Sequence, residues 1–167
     1  MGVALARLCE WLAATPLSHA IQAIAWIIPT LQTVHILCVA VLFSSAVLVD
    51  LRLLQVLGRD LSLPGAARRY LPTIWPVLAI LMVTGSLLII AEPRRSLLNS
   101  AFLLKMALLV IAVILTGGLQ WSLSSPARYW ELNRARRVAG GFLAMASMLV
   151  WAGILFAGRW IAYTQAG

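Results

Sequence analysis

Long stretches without a charged side chain restrict this chain to structures that can be buried in lipid. No residue from Trp11 to Val49 is charged when the histidines are neutral, a run of 39 residues. As one helix that run would be about 58 Å long, whereas the hydrocarbon core of a bilayer is about 30 Å thick. The run therefore contains one membrane span and a separate shorter segment, and Pro29 is the natural boundary between them.

Four spans separated by short connections can be placed along the chain. They cover residues 29–51, 70–91, 101–121 and 138–158, and Lys105 is the one charged residue inside the third. Residues 1–28 predict a short amphipathic helix at the membrane interface, before a transmembrane unit at 29–167. The sequence thus predicts an all-α polytopic membrane protein, a four-helix up-down bundle.

The charged residues are few and mostly basic, which limits the partners of the chain. They make up 11% of the sequence, against roughly 25% in a soluble domain, so a soluble enzyme is excluded. Arginines occur in short clusters between apolar runs, as in membrane proteins, and we expect a lipid bilayer and no nucleic acid as partner. The first and third connections contain Arg52, Arg59, Arg68, Arg69, Arg128, Arg134, Arg136 and Arg137. The positive-inside rule then predicts that these connections face the cytoplasm and that both termini lie on the outer side.

Two ionisable side chains inside predicted spans are the main functional signal. His35 lies about six residues into the first span and Lys105 about five residues into the third. The two spans run in the same direction, so both side chains enter from the outer side to a similar depth. A neutral imidazole is a ligand for heme iron or copper, and a deprotonated amine can ligate iron. In the structural alternative, His35 hydrogen-bonds a neighbouring helix and Lys105 extends outward to the interface.

Other residues could add to a heme site at His35 and Lys105 or form a different metal site. Arg159, with Arg94 or Arg95, lies on the same side and would face the propionates of a heme. His19 could share a metal with His35 only if the chain folds back near Pro29.

Cys38 lies one helical turn from His35, and copper is the alternative cofactor. Methionines that could add soft ligands are Met82, Met106, Met145 and Met148. The sequence has no GxGxxG, P-loop or HExxH motif, so residues typical of hydrolytic catalysis are few. These motifs do not decide whether the protein is an enzyme of another kind.

Short motifs throughout the chain resemble an uncharacterised family of small four-helix bacterial inner-membrane proteins. The motifs are Trp26-Ile27-Ile28-Pro29, Thr33-Val34-His35-Ile36-Leu37, Asp50-Leu51-Arg52-Leu53-Leu54, Phe102-Leu103-Leu104-Lys105 and Gly158-Arg159-Trp160-Ile161-Ala162-Tyr163. More remotely, a first-span histidine with a third-span lysine is similar to CopD-like proteins and HemJ-type protoporphyrinogen oxidases. This resemblance implies that His35 is one axial ligand of heme b and that Lys105 is a candidate for the other.

Three functions from different classes follow. The first is a heme b protein that transfers electrons, with quinone as a candidate partner and His35 and Lys105 at the heme. The second is a non-catalytic accessory or assembly subunit of a larger membrane complex. This function is suggested by pairs of small residues, such as Gly140 with Ala144, at which another membrane protein could pack closely. The same pairs could also join two copies of the chain. The third is copper handling through His35, Cys38 and methionines.

Overall fold

The computed structural model describes residues 2–56, 63–124 and 134–160, and this part of the chain is helical. Its helices are α1 (Gly2–Ala13), α2 (Pro16–Ala23), α3 (Ile27–Leu53), α4 (Leu63–Ala91), α5 (Pro93–Leu97), α6 (Ser100–Ser124) and α7 (Arg134–Trp160). Most of the arginine-rich connections, including Arg59 and Arg128, lie outside the described residues.

Four of these helices are long and apolar enough to cross a membrane. The candidate spans are Ile27–Leu53, Arg69–Ala91, Ser100–Ser122 and Val138–Trp160. Each range begins and ends within two residues of the span expected from the sequence. The all-α membrane fold with four spanning helices is therefore confirmed.

The four long helices associate as two helical hairpins. The most extensive contacts join α3 to α4 and α6 to α7, and further contacts join α3 to α7 and α4 to α6. Contacts in this order form a closed ring, so α3 and α6 lie diagonally across the bundle. Because successive spans alternate in direction, the two diagonal helices run parallel.

The interior of the bundle is apolar and narrow. Its centre is built from one face of α3, including Leu42 and Val49, against Ala112 of α6 and Ala144 and Trp151 of α7. Large apolar side chains on the opposite faces are exposed, among them Ile114, Phe142, Leu149 and Phe156. Exposed apolar surface on this scale is what a helix presents to lipid.

Three short helices cover one end of the bundle. Thr15 caps α2 by accepting a hydrogen bond from the Ser18 amide at 3.3 Å. Gln22 of α2 donates to the carbonyl oxygen of Ala91 at the end of α4, at 2.8 Å. α1 packs on α5, with the buried Cys9 thiol against the Pro93 carbonyl oxygen at 3.7 Å. We call α1, α2 and α5 the end layer, and the bundle end that they cover the layered end.

Small residues allow α6 and α7 to approach each other closely. A Cβ atom at Gly153 would lie 3.1 Å from Cδ1 of Leu108 on α6. Ala144 and Ala157 on the same helix are buried as well. Close approach of helices at small residues is typical of membrane bundles, where packing stabilises association.

Replacing Gly153 by leucine is expected to destabilise the bundle by about 1–3 kcal/mol, because the larger side chain overlaps with Leu108. Gly118→Leu is the matched control, since no atom lies within 4 Å of a Cβ at Gly118. Unfolding of both variants in one detergent measures the difference. Equal stability of the two variants would contradict this packing of α6 on α7.

Candidate functional site

His35 is held by a hydrogen bond between α3 and α4. Its Nδ1 lies 2.8 Å from the hydroxyl oxygen of Thr84. That hydroxyl also donates to the carbonyl oxygen of Ile80, one turn earlier in its own helix, at 2.9 Å. A threonine hydroxyl has a single hydrogen, so when Thr84 donates it to Ile80, the oxygen accepts from His35 and Nδ1 carries the imidazole proton. The lone pair of the neutral imidazole is then on Nε2.

Gly85 makes room for the imidazole ring beside Thr84. A Cβ atom at Gly85 would lie 3.4 Å from Cε1 of His35. The ring therefore packs on the bare backbone of α4 while its Nδ1 bonds the preceding residue. Two successive residues of α4 thus position the imidazole ring of His35.

Lys105 has a corresponding position on the second hairpin. A Cβ atom at Gly158 of α7 would lie 3.6 Å from Nζ of Lys105 and 3.8 Å from its Cδ and Cε atoms. The lysine side chain therefore extends along a glycine of the neighbouring helix, and it is only partly exposed. The two hairpins are thus alike in this respect: His35 packs against Gly85 in the first, and Lys105 packs against Gly158 in the second.

His35 and Lys105 both lie at the layered end of the bundle. They lie on the diagonal helices α3 and α6, near the start of each, and Lys105 is close enough to His35 to act on it electrostatically. Their glycine partners lie near the ends of α4 and α7, as the antiparallel arrangement requires. The two side chains that the sequence predicts at similar depth thus belong to one polar region.

Trp151 adds a buried donor deeper in the bundle. The side chain is 4% exposed, and its indole Nε1 has no hydrogen-bond partner among the described residues. Trp151 precedes Gly158 by two helical turns, or about 10 Å along α7. An unpaired buried N–H group is costly, so this indole is suited to donate to a bound molecule.

The arginines predicted near the cofactor lie at the surface of the same end. Arg94 pairs with Glu10 of α1 at 2.9 Å, and Arg95 pairs with Glu92 at 2.9 Å. Arg159 follows Gly158 directly and is exposed. The structure places these cations around the layered end, with Arg94 and Arg95 already bound to carboxylates.

The remaining candidate metal ligands are more dispersed. His19 is exposed on α2, and Cys38 is a partly exposed free thiol on α3. Met82 and Met145 are each more than half exposed. Within residues 2–56, 63–124 and 134–160, no group of three His, Cys, Asp or Glu side chains could hold a metal ion.

The side chain of Asp50 lies in a different environment from the one that its sequence neighbours favour. An interfacial ion pair with Arg52, or with an arginine of the following connection, is the natural prediction for Asp50 near the end of a span. Asp50 is instead 1% exposed and hydrogen-bonds Ser147 of α7. No ion pair joins Asp50 to Arg52 among the described residues, and the side chains of Arg59 and Arg68 in the following connection lie outside them. The Asp50 side chain is directed into the bundle, where it contacts Ser147 of α7 and is shielded from solvent.

Sequence reasoning missed Thr84, Gly85 and Gly158 as partners of the two ionisable groups. A signal for the first two exists in the sequence. Thr84-Gly85 lies about as far before the end of α4 as His35 lies after the start of α3. In antiparallel neighbours such positions have equal depth, so a Thr-Gly pair opposite a histidine is a candidate contact.

Thr84→Val is expected to destabilise the protein by about 0.6–2 kcal/mol, because it leaves the Nδ1–H group of His35 without its acceptor. Ser86→Ala is the control, since the Ser86 hydroxyl bonds only its own helix, at Met82. Unfolding in detergent compares them, and a loss in Ser86→Ala as large as that in Thr84→Val would contradict a specific role for the interhelical bond.

Comparison with known proteins places the chain in a family without assigning it a function. The family model DUF6644, a family of unknown function, matches residues 8–164. No curated protein and no solved structure matches the chain. The similarity to CopD-like and HemJ-type proteins therefore stays a prediction that rests on His35 and Lys105. Since the match covers nearly the whole sequence, the chain belongs to the DUF6644 family.

Proposed function

We propose that this protein binds heme b at the layered end of its bundle and transfers electrons in the membrane. His35 would hold the iron through Nε2, and Lys105 would be either a second iron ligand or a charge partner. Bound heme would supply one-electron redox chemistry. His35 would hold the iron, and a charged Lys105 would favour its reduced state.

The hydrogen bond from His35 to Thr84 is the observation that carries the proposal. Metal-bound histidines usually donate their second ring nitrogen to a fixed acceptor, which orients the ring and sets the tautomer. The Thr84 hydroxyl is such an acceptor, at 2.8 Å from Nδ1. No described contact of His35 uses Nε2, so the lone pair needed for iron is available.

The charged groups at the layered end suit the charge of a heme. A b-type heme has two anionic propionates and a flat apolar face. Lys105 and the arginines of the layered end supply positive charge, and the Trp151 indole supplies an unpaired donor inside an apolar interior. Gly85 and Gly158 make room for the two ionisable side chains against the neighbouring helices.

Several finer features belong to the same proposal. The excess of arginines in the first and third connections favours a bacterial inner membrane with both termini, and thus the layered end, on the outer side. A quinone dissolved in the bilayer is a suitable electron partner, because the spanning helices are exposed to lipid along their length. Enzymatic turnover is not required for this function.

Replacing His35 by alanine is expected to abolish heme binding, because it removes the iron ligand. His19→Ala is the matched control: it removes the other histidine, which is exposed on α2. Both variants and the unmodified protein are purified in detergent from heme-replete cells. Heme per chain and reduced-minus-oxidised absorbance spectra are then measured.

The unmodified protein and His19→Ala are expected to contain heme with a b-type spectrum, and His35→Ala to contain none. Heme retained by His35→Ala would contradict the ligand assignment. A stable protein without heme in all three samples would contradict the cofactor. An accessory or assembly subunit would then be the better account, especially if a partner co-purifies at fixed stoichiometry.

Lys105→Leu separates the two roles of the lysine. If Lys105 is a charge partner, its loss is expected to lower the heme midpoint potential by about 70 mV. A positive charge at ~10 Å from the iron disfavours ferric heme by about 1.7 kcal/mol at an effective dielectric constant near 20, and this free energy corresponds to that shift. If Lys105 is the sixth ligand, its loss converts low-spin heme to high-spin heme. Arg7→Gln removes an equal charge from the exposed face of α1 and is the control. An unchanged spin state and potential in Lys105→Leu would exclude both roles.

A further inference from the structure

Asp50 and a small cavity beside it lie apart from the site of His35 and Lys105. Asp50 belongs to the last turn of α3 and contacts Ser147 of α7. Ser147 precedes Gly158, the neighbour of Lys105, by about 16 Å along α7. The proposed function does not use this second polar region.

The cavity offers few oxygen atoms and is otherwise apolar. Its polar lining residues are Asp50, Thr116 of α6 and Ser147. The others are apolar: Ala46, Val49, Leu71, Leu115, Leu119 and Leu143. Its size is close to that of a single water molecule.

One carboxylate oxygen of Asp50 has no partner. Oδ2 is buried without a hydrogen bond, so the bond with Ser147 involves the other oxygen. A buried carboxylate needs a cation or several donors in place of lost water. The lining side chains from α4, α6 and α7 carry no charge.

A proton fits these surroundings better than a metal cation. A proton on Oδ2 removes the charge and turns the unpaired acceptor into a donor, which one water in the cavity can accept. The three polar lining side chains offer fewer oxygen atoms than the about six or more ligands that hard cations generally take, so a sodium ion would be underliganded there.

We propose that Asp50 is a proton-binding site, with the proton on Oδ2 and a water molecule in the cavity as its exchange partner. The Ser147 hydroxyl donates to Oδ1 in both states. On release, the proton moves from Oδ2 to the water and leaves a carboxylate, and no electron is transferred. The site is independent of heme, and it provides a protonatable group in the same bundle as the proposed electron carrier.

Infrared spectroscopy of the full chain in lipid nanodiscs tests this proposal. The chain has five carboxylic side chains, of which Asp50 and Asp60 are the aspartates, so ¹³C-labelled aspartate gives a simple spectrum. At neutral pH we expect a labelled C=O band of a protonated carboxyl group that shifts in D₂O. The band should be lost in Asp50→Asn and kept in Glu92→Gln, which changes a surface carboxylate.

Ser147→Ala is expected to move the band to higher frequency, because it removes a hydrogen bond to the carboxyl group, whereas Ser86→Ala leaves the band in place. The labelled band of the unmodified chain decides the proposal even if Asp50→Asn does not fold. A spectrum with only ionised aspartate at neutral pH would overturn the proposal. A band that disappears when sodium replaces potassium in the buffer would also overturn it, since the site would then bind a metal cation.

Discussion

The need to satisfy polar groups without water governs this structure, and the bond between His35 and Thr84 is its central case. In lipid, an imidazole must find its partners inside the protein or be buried unpaired. Thr84 supplies an acceptor at 2.8 Å, and Gly85 supplies the space for the ring. This solution fixes the rotation of α3 against α4 and leaves Nε2 as the free nitrogen of His35. The availability of Nε2 for iron at the layered end depends on this hydrogen bond.

The rest of the bundle repeats the same principle with different partners. Lys105 extends along Gly158, and Asp50 crosses the interior to reach Ser147. The two polar regions lie at different depths and are separated by an apolar interior that contains Trp151. A redox group at one level and a proton-binding carboxyl at another would let one small protein respond to both electrons and protons. The apolar residues between them keep the two regions distinct.

Much of the fold could be predicted from the sequence, because charge-free runs of the right length have few alternatives. The four spans and the similar depths of His35 and Lys105 follow from counting residues. The rotation of each helix does not, since α3 and α6 are apolar on nearly all sides and hydropathy favours no face. For this reason Gly158 could not be identified as the neighbour of Lys105. The sequence favours Arg52 or a nearby arginine as the partner of Asp50, because sequence neighbours are the simplest partners, whereas the contact that forms is with Ser147 of a distant helix.

The tautomer of His35 tests the central claim most directly and does not require heme. Solid-state NMR of ¹⁵N-histidine protein in lipid, with His19→Gln to leave one histidine, resolves the two ring nitrogens. The account predicts a protonated Nδ1 and an unprotonated Nε2 in the heme-free protein. A protonated Nε2 with Nδ1 accepting from Thr84 would contradict it, because the nitrogen assigned to iron would then carry a hydrogen.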